Sequence, residues 1–274
     1  MKNILILTDF SKKSWNSILY ALSLFHAGNC KFYMLHAQNI HESNFEKASP
    51  QFLNNKKSKD LKNQFDILID KIENTQLKGK HTFTPIESEK NILEATRFYV
   101  KEKKIDLIVI GTNGLCPNEK KQANSISEDI ITKVKCSVLV VPMEARFKGL
   151  KEIAFPTDFT NFYEAKLLKN LTNLSNYSEA LIRFLFLSKK EVTLNKEQQW
   201  NKETLHDYFK NQPHGFHVEV NQNFEVSIEK FINKMKIDLI IMAAKNLNLF
   251  EQILFRPKVT TISYYSKIPF LILH

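Results

Sequence analysis

The sequence predicts an α/β fold: two doubly wound domains in tandem, each a parallel sheet with crossover helices. Three observations carry that prediction. The chain repeats itself: Ile4 to Ser11 (ILILTDFS) returns as Ile153 to Thr160 (IAFPTDFT), Lys104 to Ile110 (KIDLIVI) as Lys236 to Met242 (KIDLIIM), and Ser137 to Pro142 (SVLVVP) as Pro269 to His274 (PFLILH). Three landmarks in one order make the repeating unit a whole domain rather than a short motif. Within each copy, short β-branched apolar runs alternate with stretches of helical period, and the closing runs are solid Val, Ile and Leu, as strands buried on both faces are.

Each element follows from that alternation. In the first copy strands are expected at 3–8, 30–37, 81–86, 106–111 and 137–142, with helices at 12–27, 57–78, 89–103 and 125–135. In the second copy strands fall at 151–156, 180–187, 215–220, 238–243 and 269–273, and helices at 161–176, 197–211, 223–235 and 257–266. The offset between copies is 149 residues at the first landmark (4 to 153) and 132 at the other two (104 to 236, 137 to 269). The second copy has therefore lost length only in its middle. Residues 41–55 have no counterpart there and read as an exposed insertion. The segment 144–150 (EARFKGL) is charged, contains a glycine and lacks any period. It reads as the linker between a domain at 1–143 and a domain at 151–274.

At 274 residues the chain is long enough for two ordinary cores. With 43% hydrophobic and 25% charged residues, and only 6 Gly and 8 Pro, it belongs to the globular class. No apolar run reaches the roughly 18 residues of a spanning helix, and Met1 leads straight into a strand with no signal peptide, so a cytoplasmic protein without membrane partners is expected. Cys30, Cys116 and Cys136 are too few and scattered for a disulfide framework or a zinc ribbon. The net charge of +10 is carried by Lys spread over both copies, with Arg only at 97, 146, 183 and 256. Specific nucleic-acid binding favours clustered Arg and is not expected.

The chemistry concentrates after the fourth strand of the first copy. That strand runs into Gly111-Thr112-Asn113-Gly114, and nine residues later Asn124-Ser125-Ile126-Ser127 opens a helix. Glycines permit close backbone approach, and free N–H groups at a helix start suit an anion. In an open sheet of order 3-2-1-4-5 the switch point lies between strands one and four, outside their carboxyl ends. Asp9 flanks the same crevice, where its carboxylate can accept from a ribose hydroxyl or an adenine amine.

The repeated strand followed by TDFS, the G-x2-G-x9-N-S pattern and the closing SVLVVP resemble the universal stress protein family in a tandem arrangement, over nearly the whole chain. The resemblance implies flavodoxin-like (Rossmann-like) domains with five-stranded parallel sheets, paired through their last strands within one chain as a pseudo-dimer. It implies a stress-response binding module that takes ATP or AMP. The implied roles are phosphate contact for Gly114, Asn124, Ser125 and Ser127, base and ribose contact for Asp9, and an adenine wall from Ala37. Nucleotide-binding members carry G-x2-G-x9-G-[S/T]; here Gly111, Gly114 and Ser125 match and Asn124 replaces the third Gly. Asparagine tolerates positive φ better than other side chains, and it also caps helices.

The second copy is an internal control. Ala243, Lys245, Asn246, Arg256 and Pro257 stand where the first copy has Gly111, Asn113, Gly114, Asn124 and Ser125. Every glycine is gone, and Pro257 has no N–H for a phosphate although it suits a first helical turn. Nucleotide is thus expected in the first domain only. Asp158 persists where no such loop exists, so part of the work of Asp9 is expected to be structural, fixing the turn after strand one.

Other groups support less. His214 and His217 are three apart in a strand and should point to opposite faces, and His36 and His41 have no ligand-spaced partner, so no metal is expected. No nucleophile–base arrangement or carboxylate pair can be argued from spacing, and an enzyme is not expected. The alternative reading is a scaffold that binds no nucleotide and acts through protein partners, with Glu87 to Glu89 and the 41–55 segment as specificity elements. A nucleotide hydrolase is a third reading, with no base beyond Asp9.

Overall fold

The computed structural model describes residues 1–37, 50–77, 79–112, 126–188, 190, 193–221, 224–245 and 267–274. The elements are β1 (Lys2–Leu7), α1 (Lys12–Leu24), β2 (Cys30–Ala37), α2 (Pro50–Glu73), β3 (Thr82–Ser88), α3 (Ile92–Glu102), β4 (Leu107–Thr112), α4 (Ile126–Lys133) and β5 (Ser137–Pro142). The second half adds β6 (Glu152–Thr157), α5 (Ala165–Ser178), β7 (Leu181–Ser188), α6 (Lys196–Phe209), β8 (His214–Val220), α7 (Phe224–Met235), β9 (Leu239–Ala243) and β10 (Phe270–Leu273).

One ten-stranded sheet runs β3-β2-β1-β4-β5-β10-β9-β6-β7-β8. Each half has the order 3-2-1-4-5 and is parallel, and the two meet where β5 and β10 pair antiparallel, with Phe270 opposite Val140 and Ile272 opposite Val138. The expected fold class and the pairing of last strands are both present. Because successive strand residues alternate faces, the sheet carries two cores. Ile4, Ile6, Phe155 and Phe184 pack under α1, α2, α5 and α6. Leu5, Leu7, Ile108, Val138, Ile240 and Ile272 pack under α3, α4 and α7 on the other face.

Two expectations need correction. Residues 50–55, read as part of an exposed insertion, open α2. Pro50 sits at the first helical position, where its fixed φ suits the helix and its missing N–H costs nothing. Residues 41–49 lie outside the described residues, as does the helix expected at 257–266. The helix expected at 161–176 begins instead at Ala165, four residues later than the copy-one equivalent. The reason is the side chains that face the sheet. In α1 the small residues Ser14, Ser17 and Ala21 form a buried stripe, and Gly111 on β4 offers no Cβ. The counterparts of Ser14 and Gly111 are the buried Tyr163 and Ala243, whose bulk keeps the chain from coming as close to the sheet, while Lys166 and Asn170, at the positions of Ser17 and Ala21, are exposed. The polar tie inside the turn changes to match. Thr8 Oγ1 donates to Ser14 Oγ at 3.3 Å in the first half, whereas Thr157 Oγ1 and the Tyr163 hydroxyl share a hydrogen bond of 2.7 Å in the second.

The segment 144–150 is packed against the first half. Ala145 is buried and Phe147 meets Tyr20 edge-to-face at 5.4 Å. Asn16 Nδ2 donates to the carbonyls of Pro142 and Ala145 at 2.9 and 3.0 Å. Arg146 Nη1 donates to Asn16 Oδ1 at 2.8 Å, which locks the segment onto α1.

Candidate functional site

β1, β2 and β4 end level with one another, since Leu7 is paired with both Leu35 and Ile110. Their carboxyl ends therefore bring Asp9, Ala37 and Gly111 to one edge of the sheet, at the switch point. Ala37 lies on the α3/α4 face. Ser127, half-buried, stands in the first turn of α4. Asn113, Gly114, Asn124 and Ser125, as well as Cys116, lie outside the described residues.

Asp9 holds a turn as well as facing the crevice. Its Oδ1 accepts from the Ser11 N–H at 3.1 Å and from Ser11 Oγ at 2.5 Å, and Lys13 Nζ lies 3.1 Å from Oδ2. Ser11 Oγ in turn accepts from the Ser14 N–H and caps α1. In the second half Asp158 Oδ1 accepts from Thr160 N–H and Oγ1 at 3.0 and 2.7 Å. The same motif in both copies shows that the turn itself calls for the aspartate. Phe10 and Phe159 complete it, with φ of 59° and 55°. A bulky residue pays roughly 1–2 kcal/mol for that conformation. It is held there by an N–H donated to Thr8 or Thr157 Oγ1 and by ring packing, Phe10 on His36 and Phe65, Phe159 on Phe186. His36 belongs to this frame as well. Its Nδ1 donates to the Thr8 carbonyl at 2.9 Å.

Burial disfavours the Asp9 charge, but hydrogen bonds from the Ser11 hydroxyl, Lys13 and the Ser11 N–H, with the Lys13 charge, outweigh it and hold the carboxyl at about 2 against an ordinary 3.8. A depressed pKa contributes stability above the unfolded value and loses it as pH falls through the folded one. Asp9→Asn should therefore lower the thermal midpoint at neutral pH, and the gap from the parent should close between about pH 4 and pH 2. With the side chain 48% exposed the effect is modest, but its pH profile separates it from a simple packing loss. That exposure also leaves lone pairs free for a ligand.

Gly111 has a role that motif reading missed. A Cβ at this position would lie 2.4 Å from the Lys13 carbonyl oxygen and 3.1 Å from the Ser14 nitrogen. The backbone that approaches it is the first turn of α1. In the second half the same end is occupied by protein groups: Ala243 is 1% exposed, and Lys245, at the position of Asn113, is ion-paired with Glu164. The signal for these roles is in the sequence, as the small residues of α1 recur at helical spacing beside a strand-end glycine.

His214 and His217 lie on opposite faces, as alternation requires. His214 stands beside His206 on α6, and His217 beside Phe231 on α7. Among the described residues no group of three or more His, Cys, Asp or Glu could hold a metal ion, and no helix is long and apolar enough to cross a membrane. A concavity of about 620 Å3 lies on the outer side of α1 between Trp15, Tyr20, Arg146 and Phe147 and shares no residue with the crevice set.

The profile of the Universal stress protein family matches residues 1–142. No curated protein gives a match to the sequence. Among solved structures, a universal stress protein from Archaeoglobus fulgidus DSM 4304 superimposes with a TM-score of 0.68 at 12% identity, covering 99% of this chain and 97% of its own. A protein from Pseudomonas aeruginosa UCBPP-PA14 assigned to the universal stress proteins gives a TM-score of 0.54 at 11% identity, with 100% and 93% covered. At these identities the likeness is one of fold.

Proposed function

The chain belongs to the universal stress protein family, and on that premise we propose that it is a stress-response binding module that takes up an adenine nucleotide, ATP or AMP, in the crevice of its first domain alone. We read residues 1–143 as that domain, 144–150 as the connection and 151–274 as a domain whose nucleotide loop is lost. The observation that carries this reading is the divergence between copies at one place in the fold. The first half keeps Gly111, Gly114 and Ser125. The second half has the buried Ala243 methyl and an exposed Lys245–Glu164 pair at the same end, and its sequence has an imino acid at 257.

The assigned chemistry follows from the residue types. Asp9 accepts from a ribose hydroxyl or the adenine amine, and its part-exposed carboxylate fits that work. Ala37 gives a small apolar wall to the base. Gly111, Asn113 and Gly114 carry the backbone past the phosphates, with Asn124, Ser125 and Ser127 donating to them. The module binds without turnover in this reading, because the crevice set contains no base other than Asp9, which is held ionised by Ser11 and Lys13 and is therefore a poor proton acceptor.

A second reading, a scaffold acting through protein partners, draws on one feature. Phe162 and Trp200 are 57% and 56% exposed and stack at 5.8 Å at the carboxyl edge of the second half. Exposed aromatics of this kind anchor protein interfaces. Titration of nucleotide-stripped protein with ATP, ADP and AMP, followed by heat, separates the two. Saturable binding supports the module, and no binding at millimolar nucleotide leaves only the scaffold. Steady release of phosphate would instead identify a hydrolase.

A further inference from the structure

β8 closes one edge of the ten-stranded sheet, and among the described residues no strand pairs with its outer backbone. The Pro213 carbonyl accepts from the Ile182 N–H at 3.0 Å, and the Asn221 N–H donates to the Ser188 carbonyl at 2.9 Å. Alternation along a parallel ladder then gives 215, 217 and 219 to β7 and turns the N–H and C=O groups of 214, 216, 218 and 220 outward. The opposite edge, β3, is built differently. The register Ile4–Phe32–Phe83 against Ile153–Ile182–His214 places Pro85 at the position of Phe216. A proline offers no N–H to an incoming strand, so β3 is blunted where β8 is open.

The side chains of β8 are suited to a partner. Val218 and Val220 are 64% and 43% exposed on one face. On the other face a polar ladder crosses the sheet toward the edge. Glu152 accepts from Arg183 Nε and Nη2 at 2.6 and 2.9 Å, and Arg183 Nη1 donates to His217 Nε2 at 3.1 Å. Arginine can only donate, so His217 Nε2 carries the lone pair and the ring proton sits on Nδ1. Burial, and then the Arg183 charge, lower the His217 pKa and keep that neutral form.

We propose that β8 pairs antiparallel with β8 of a second copy of this chain, in the register centred on Val218. That register sets Val218 against itself and Phe216 against Val220 at hydrogen-bonded positions. It sets His217 against Glu219 of the partner subunit at the closer, non-hydrogen-bonded positions. The ladder Glu152–Arg183–His217 then ends on a carboxylate that can accept the Nδ1 proton. A register centred on His217 would place histidine on histidine and Glu219 on Gly215, and one centred on Phe216 would leave Glu219 and Val220 without partners. Complementarity of charge and of apolar surface selects Val218.

Sedimentation of the full chain over a concentration series tests this. The parent should show a reversible monomer–dimer equilibrium, and Val218→Pro should halve the mass to that of the monomer throughout. Pro85 shows that an outward edge position of this fold accepts proline, and circular dichroism verifies that the variant is folded. Glu219→Lys, which leaves the strand intact, should weaken the dimer roughly tenfold because in two facing pairs the carboxylate that accepts the His217 Nδ1 proton is replaced by an ammonium that can only donate. Val218→Cys in a Cys116→Ser background should form an intermolecular disulfide on oxidation, since facing Cα atoms about 5.5 Å apart lie within disulfide range. A chain that stays monomeric at every concentration, or a dimer indifferent to Val218→Pro and Glu219→Lys, overturns the proposal.

Discussion

Gly111→Ala should destabilise the first half by about 3 kcal/mol, the upper end of what forcing one extra methyl into a packed interior costs. The methyl would sit 2.4 Å from the Lys13 carbonyl oxygen, and the neighbour that must yield is backbone in the first turn of α1. Relief requires that turn to lift from β4, which also pulls on the Ser11 cap, the Thr8–Ser14 hydrogen bond and the Asp9–Lys13 pair. The second half supplies the control. Ala243 already carries the methyl there, and α5 starts four residues late, so Ala243→Gly should cost no more than about 1 kcal/mol from backbone entropy. Denaturant melts of the two variants measure the contrast. A Gly111→Ala protein as stable as the parent would show that α1 is free to move and that the copy difference has another cause.

Ile272→Ala should destabilise the chain by about 2–5 kcal/mol, as deletion of fully buried aliphatic side chains does, and the loss should be felt in both halves. Ile272 is 0% exposed and lies on β10, opposite Val138 of β5 and beside Met242 of β9. Other contacts also cross the seam. The Tyr20 hydroxyl on α1 is pushed up in pKa by burial and then by the Asp238 charge at the start of β9, and the His274 ring hydrogen-bonds the Ile131 backbone of α4. The two tryptophans report the halves separately, Trp15 from α1 and Trp200 from α6. Trp15→Phe and Trp200→Phe backgrounds therefore resolve the question by fluorescence. The expected result is that Ile272→Ala lowers the midpoint seen by each tryptophan. A shift confined to Trp200 would mean that the halves unfold independently.

The fold was largely legible in the sequence because its signals are local and redundant. Each strand is a short apolar run, and the duplication supplies every landmark twice, so the succession of strands and helices could be read directly, while the pairing of β5 with β10 was implied by the family resemblance. The start of α5 was missed because periodicity registers apolar spacing and is blind to steric depth: Tyr163 and Ala243 differ from Ser14 and Gly111 in how close the chain can come to the sheet. Residues 50–55 were read as insertion because they have no counterpart in the second copy, although Pro50 is a helix-start signal in itself. At the site, the persistence of Asp158 without a phosphate loop correctly pointed to a structural turn. The glycine of the motif was understood only in part. A bare Cα beside a ligand and a bare Cα beneath a helix look identical at the glycine itself, and the small residues of α1 that tell them apart lie far from it in the chain.

In the proposed function one half of the duplicated fold binds nucleotide and the other completes the sheet. Calorimetric titration of ATP and AMP into the stripped chain, repeated with Gly114→Leu and with Arg256→Ala, tests it most directly. A single nucleotide per chain is expected, with binding lost in Gly114→Leu and retained in Arg256→Ala. Two nucleotides per chain, or loss of binding in Arg256→Ala with Gly114→Leu unaffected, would contradict it.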